Sequence, residues 1–141
     1  MMNEKILHSA KLGKQLSVFV EDEPGTLAAV TNLLGKQGIN IYALTLAEGL
    51  GHGYLRMVVD KHDEAMKVLR AAEELIMERD VILLELSNQP GSLGRVAGML
   101  AAAGVNLEYA YCAGGPSVDR GLVVVRADDC AKAMKVLQTL S

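Results

Sequence analysis

The stretch EPGTL (residues 23–27) returns as QPGSL (residues 89–93), and the match continues well beyond it. With Pro24 set on Pro90, Gly25 meets Gly91, Leu27 meets Leu93, Val30 meets Val96, Leu34 meets Leu100, Gly38 meets Gly104 and Asn40 meets Asn106, all without a gap. Further on, the second copy has gained two residues, so that Asp60 meets Asp128 and AMKVL (65–69) meets an identical AMKVL (133–137). The extra length falls between GLGHG (49–53) and GGPSVDRG (114–121), both Gly-rich turn signals, where insertions are tolerated. Similarity carried through a whole unit, with the length change in a loop, marks a duplication. A chain of 141 residues built this way folds as two very small, equivalent units.

Each unit spells the same order of elements. Leu16, Val18 and Val20 alternate with Ser17, Phe19 and Glu21, the period of a strand, and ILLELS (82–87) is the counterpart. A Pro-Gly turn follows. Apolar residues then recur at Leu27, Val30, Leu33 and Leu34, and at Leu93, Val96, Met99 and Leu100, which is one face of a helix. Pro24 and Pro90 suit the first helical position, where a missing N–H costs nothing. Gly38 and Gly104 suit left-handed caps that stop the helices. INIYALTLA (39–47) and VNLEYAYCA (105–113) read as strands, followed after their turns by YLRMVVD (54–60) and LVVVRAD (122–128). Asp60 and Asp128 are placed to cap second helices through EAMKVLRAAEEL and AKAMKVLQTL. LIMERD then supplies a last strand to the first unit and runs almost directly into the second.

Strand, helix, strand, strand, helix, strand is the split β-α-β, ferredoxin-like order. The expected fold is therefore α+β, two βαββαβ domains in tandem, with boundaries at 12–79 and 80–141. The second unit runs out at Ser141 without a clear last strand. Either that strand is missing or KILHSAKL near the N-terminus takes an equivalent edge.

Composition narrows the function classes. Half the residues are apolar, ample for a core, yet no apolar run approaches the roughly 18–20 residues of a membrane span. The first fifteen residues are charged and polar and lack the apolar core of a secretory signal, so the expected compartment is the cytoplasm. The net charge is −3, with no Lys/Arg run and few aromatics, which argues against a nucleic-acid footprint. Cys112 and Cys130 form no C-x-x-C and read as small buried hydrophobes. His8, His52 and His62 lack ligand spacing and read as solvated residues in tail, turn and helix start. GLGHG leads into a strand, not a helix, so it reads as a hairpin turn rather than a phosphate loop. No nucleophile, base and orienting group gather at a catalytic spacing, and neither a cofactor nor a metal is expected.

The repeated turns carry the chemistry that remains. A helix start offers unpaired N–H groups and partial positive charge, so an anionic group can bind there. Gly25 and Gly91 permit close approach to the backbone, and Thr26 and Ser92 add a hydroxyl at matching positions. In this fold the first and second helix-linked strands are expected to lie side by side, so Asn40 and Asn106 are expected to reach the same turns, and an amide suits a ligand with a carboxylate and an ammonium. Ordinary structural punctuation explains one such turn; two copies matching in turn, hydroxyl and distant Asn favour a site.

FVEDEPGTLAAVTNLLGKQGINIYAL and ELSNQPGSLGRVAGMLAAAGVNLEYA each resemble the signature half of an ACT domain. The resemblance runs from about Leu16 to Leu140 as a tandem pair similar to stand-alone amino-acid-binding ACT proteins, and the first half also resembles the small regulatory subunit of acetohydroxyacid synthase. It implies a ligand site at the strand-to-helix turn and the Asn opening the second strand, here Asp22, Gly25 and Asn40, then Asn88, Gly91 and Asn106. The polar turn residues differ between copies. Glu21-Asp22-Glu23 disfavours another carboxylate, whereas Ser87-Asn88-Gln89 does not. The second turn is therefore expected to receive an amino acid's carboxylate, with Asp22 facing an ammonium group if it takes part. Substitution of Asn88 or Gly91 is then expected to hurt binding more than the same change at Asp22 or Gly25. The competing reading is that the acidic residues simply favour the helix dipole.

Tyr109 and Tyr111 share one strand face and line either a ligand site or a subunit interface, with Tyr42 on the opposite face; Arg95 reads as solvated. The resulting expectation is a non-enzymatic regulatory protein that binds a small amino acid between ACT domains, acts through linkage and forms a homodimer through exposed sheet edges. The rival is a docking subunit of a biosynthetic enzyme with no ligand of its own. A small enzyme on this scaffold, such as an acylphosphatase, needs an Arg that the turns do not supply in both copies.

Overall fold

A computed structural model describes residues 5–48 and 52–140. Ten elements follow in the order β1 (Leu7–Glu21), α1 (Thr26–Lys36), β2 (Ile41–Glu48), β3 (His52–Val59), α2 (His62–Ala71), β4 (Ile76–Ser87), α3 (Ser92–Ala102), β5 (Leu107–Ala113), β6 (Arg120–Ala127) and α4 (Cys130–Gln138). Residues 49–51 of the GLGHG turn lie outside the described residues; His52 and Gly53 already begin β3. Among the described residues, no helix is long and apolar enough to cross a membrane.

The chain forms two compact units. The first is Lys14–Arg79; the second runs from Asp80 onward and recruits the stretch up to Gly13. Both long strands are therefore divided. β1 gives its C-terminal half to the first unit and its N-terminal half to the second, and β4 is shared the other way round. The strand that the second unit lacks at its C-terminal end is thus supplied from the chain's start. Ser87 N–H donates to the Ile6 carbonyl at 2.8 Å, and Leu7 is buried in that unit's core. In the first unit the reciprocal edge is made where Phe19 N–H donates to the Leu75 carbonyl at 2.9 Å.

Alternation decides which strand residues face the helices. In the first unit Leu16, Val18 and Val20 of β1 and Leu55 and Met57 of β3 pack against Val30 and Leu34 of α1 and Leu69 of α2. In the second, Ile82 and Leu84 of β4 and Val123 and Val125 of β6 pack against Val96 and Leu100 of α3 and Leu137 of α4. Of the apolar stripes read from the repeat, Val30, Leu34, Val96 and Leu100 are these core faces, Leu33 is partly buried, and Leu27, Leu93 and Met99 are exposed.

Local chemistry departs from expectation at two repeated points. The prolines precede the helices instead of opening them. Gly25 and Gly91 stand at the N-caps with φ of 93° and 86°, a left-handed conformation no helix continues, so Thr26 and Ser92 become the first helical residues. Pro then sets the preceding position of a turn whose next residue needs positive φ, closed in the second copy by Ser92 N–H donating to the Gln89 carbonyl at 3.2 Å. Gly38 and Gly104, at φ 72° and 79°, stop the helices as expected.

Asp60 and Asp128 do not cap helices. Asp60 Oδ1 accepts from Asn40 N–H at 2.9 Å while its own N–H donates to the Asn40 carbonyl at 3.0 Å; Asp128 and Asn106 repeat this at 3.1 and 3.0 Å. Each pair ties a strand's start to its neighbour's end. The α4 cap falls to Asp129, which accepts from Lys132 N–H at 2.9 Å, and α2 has no side-chain cap. Asp60→Ala is expected to cost about 0.5–1.5 kcal/mol, the worth of one exposed hydrogen bond of this kind, in urea denaturation.

Candidate functional site

Each Pro-Gly turn opens a cleft beside its helix start. In the first unit a cleft of about 310 Å³ is lined by Val20, Asp22, Gly25, Thr26, Leu46 and Gly53, among others. In the second a cleft of about 340 Å³ is lined by Leu86, Asn88, Ser92, Leu93, Cys112 and Gly121, among others. These residues correspond through the repeat: Asp22 to Asn88, Thr26 to Ser92, Leu46 to Cys112, Gly53 to Gly121. The duplication has preserved a concavity as well as a fold.

Asp22, Gly25 and Thr26 come together in the first cleft, and Asn88 and Ser92 in the second, where Gly91 shapes the turn. Asn40 and Asn106 do not join them. β3 lies between β1 and β2, so the two helix-linked strands are not neighbours. Both are antiparallel to β3 and hence run the same way. The turn leaves the C-terminal end of β1, whereas Asn40 precedes the N-terminal end of β2, at the opposite end of the unit. β4, β5 and β6 repeat the arrangement for Asn106. In their place the ends of the edge and middle strands complete each cleft, through Leu46 and Gly53 or Cys112 and Gly121. The paired glycines at the end of each Gly-rich turn were the available signal in the sequence.

The two clefts differ at the hydroxyl. Thr26 Oγ1 donates to the Glu23 carbonyl at 3.2 Å. Ser92 is 4% exposed, and its Oγ has no hydrogen-bond partner among the described residues. A buried, unsatisfied hydroxyl is costly and calls for an explanation. It sits on the first residue of α3, where the N–H groups of Leu93 and Gly94 also make no backbone hydrogen bond among the described residues. Asn88 Nδ2 donates to the Val118 carbonyl at 2.8 Å and the Gly115 carbonyl at 3.3 Å, fixing the loop that forms one wall. Its Oδ1 remains as an acceptor.

Charge separates them further. Glu21, Asp22, Glu23 and His52 line the first cleft. Among the described residues, none lining the second carries a charged side chain. The strand glycines differ too. A Cβ on Gly53 would stand 2.8 Å from the Ala47 carbonyl oxygen, whereas one on Gly121 would meet nothing closer than 3.9 Å. Gly53→Ala is expected to destabilise by about 1–3 kcal/mol, as overpacking against backbone does, and Gly121→Ala to fold normally; paired denaturation curves check both.

The family model for the ACT domain pair matches residues 12–140. The chain belongs to that family. A solved structure of a protein from Bacteroides thetaiotaomicron is 37% identical to this ACT pair, covers 92% of it with 89% of its own length, and superposes with a TM-score of 0.85. The ligand-free regulatory subunit of aspartate kinase from Thermus thermophilus is 20% identical, with coverage of 96% and 99% and a TM-score of 0.69. Escherichia coli aspartokinase III, solved with lysine and aspartate, is 14% identical and has a TM-score of 0.55; the ACT pair spans 34% of its length. At those identities the last two speak for the fold. No curated protein sequence matches significantly.

Elsewhere in the ACT pair, Cys112 is exposed on β5 and Cys130 half-buried at the start of α4, so neither is the buried hydrophobe expected. Cys112 lies on an outermost strand with no neighbour beyond it to cover its side chain. His8 and His62 are not solvated either. Ser87 Oγ donates to the Lys5 carbonyl at 2.9 Å, so His8 Nε2, 2.8 Å away, donates to Ser87. His62 Nε2 stands 3.5 Å from a Glu78 carboxylate oxygen. Tyr109 and Tyr111 do share a face, opposite Arg126 and Val124 of β6.

Proposed function

We propose that this ACT pair is a non-catalytic regulatory protein and that the cleft of its second unit binds a small amino acid. The observation that carries the reading is Ser92, a buried hydroxyl without a partner at the start of α3 and lining the cleft. An α-carboxylate there satisfies Ser92 Oγ and the first-turn N–H groups, where the helix dipole favours negative charge. The ammonium then faces Asn88 Oδ1. At about 340 Å³ the cleft is at the small end of the roughly 300–1,000 Å³ typical of ligand pockets, a size for one amino acid.

The first cleft is assigned a lesser part. Its hydroxyl is already bonded, and its acidic rim repels a carboxylate. A second copy of the chain closes the open side of the second cleft. β2 and β5 are outermost strands, and exposed edges invite pairing. Binding favours one arrangement of the dimer, and a biosynthetic enzyme reads that arrangement, which is coupling by linkage. The regulatory aspartate kinase subunit that shares this fold supports the regulatory role.

A thermal-shift screen against the common amino acids tests the reading. A ligand at about 100 times its Kd stabilises by roughly 2.7 kcal/mol, several degrees for a chain of this size. The response is expected to survive Thr26→Ala and to fall to half or less in Ser92→Ala. A flat panel favours a docking subunit without a ligand.

A further inference from the structure

We infer that the second cleft selects an amino acid with an uncharged, apolar side chain. The inference rests on the reading that this cleft takes an amino acid, and it names the class.

With the carboxylate at α3 and the ammonium toward Asn88, the ligand's side chain is left with the remaining walls. Those walls are mostly apolar, Leu93, Cys112, Val118 and Leu122 with the backbone of Gly114 and Gly115, and their polar members, Ser87 and Gln89, are neutral. Leu93 and Val118 are each 42% exposed, so apolar surface stands ready to be covered at the cleft. Among the described residues, none lining the cleft carries a charge opposite to that of a lysine or aspartate side chain. Asp119 and Arg120 line, with His8, an adjoining recess that shares Asn88 and Val118 with the cleft; neither lines the cleft itself. A lysine or aspartate side chain entering the cleft is desolvated without an opposite charge, whereas each methylene of an aliphatic chain gains contact. The first cleft supplies the internal contrast. It has the same fold and the same turn but an acidic lining, and so has carboxylates to offer an ammonium where the second has none.

The test is a calorimetric panel on the full chain with leucine, valine, methionine, alanine, lysine and aspartate. The aliphatic members are expected to bind on the order of a hundredfold tighter than lysine or aspartate, and leucine at least roughly tenfold tighter than alanine. Cys112→Asp, an exposed change on an edge strand, places a carboxylate on the wall. It is expected to weaken leucine binding and to create lysine binding. If lysine or aspartate binds tightest to the parent, the site reading stands and the apolar class is overturned. If nothing binds, both fall. An unchanged preference in Cys112→Asp puts the side chain elsewhere and also overturns the inference.

Discussion

Ser92→Ala is expected to melt higher than the parent without ligand and to respond much less to ligand. Both effects come from one atom. In the unliganded chain the Ser92 hydroxyl is buried without a partner, a state that costs about 1–3 kcal/mol. Alanine removes the polar atom and recovers most of that cost, a gain of several degrees. In the complex the hydroxyl donates to a carboxylate, and a hydrogen bond to a charged group is worth about 1.5–3 kcal/mol. Its loss weakens binding roughly ten- to hundredfold. Thr26→Ala moves the other way. Its hydroxyl is bonded to the Glu23 carbonyl, so removal lowers stability slightly and leaves binding alone. Thermal melts of both variants with and without ligand settle the matter. A Ser92→Ala protein that melts lower, yet binds like the parent, would make the serine a structural residue and remove the main support for the site.

Leu7→Ala is expected to be among the most destabilising single changes in the chain. Leu7 is 2% exposed and belongs to the core that also holds Ile82, Leu100 and Leu137. Truncating such a leucine costs about 2–5 kcal/mol, a large share of the roughly 5–15 kcal/mol that holds a domain together. Position in the sequence gives no hint of this. A stronger form uses a fragment that begins at Asp80. Alone it lacks its edge strand and one core leucine, so no cooperative unfolding transition is expected. A synthetic peptide of residues 5–13, added in trans, is expected to restore one. A fragment that unfolds cooperatively by itself would show the borrowed strand to be dispensable.

What was legible in the sequence was local or repeated. Helix faces such as Val30–Leu34 and Val96–Leu100 follow from spacing alone, and the left-handed glycines at 38 and 104 follow from their place after those faces. The duplication made the second reading of each element a check on the first. The failures are long-range. Taking the two helix-linked strands as neighbours puts Asn40 beside Gly25, but β3 inserts between β1 and β2 and sends the asparagine to the far end. Its backbone, not its side chain, turned out to be engaged, with Asp60. Cys112 was expected inside because cysteine usually is; an edge strand with an open side overrode composition. Leu7 could not be placed because pairing partners 80 positions away leave no mark on local periodicity. Ser92 stood out as a hydroxyl in a repeated turn, but its missing partner is a property of the packed structure.

The divided strands also set the order of events on the ribosome. The stretch up to Gly13 is made early, yet its partner, the half of β4 from Asp80, is made only after the whole first unit. At roughly 5–20 residues per second, that segment waits for several seconds as an unpaired, apolar-bearing edge. During the wait it can be captured by a neighbouring nascent chain whose second unit is complete but lacks this strand. The same contacts that close one molecule would then link two, giving an exchanged dimer whose yield rises with the density of chains on a message.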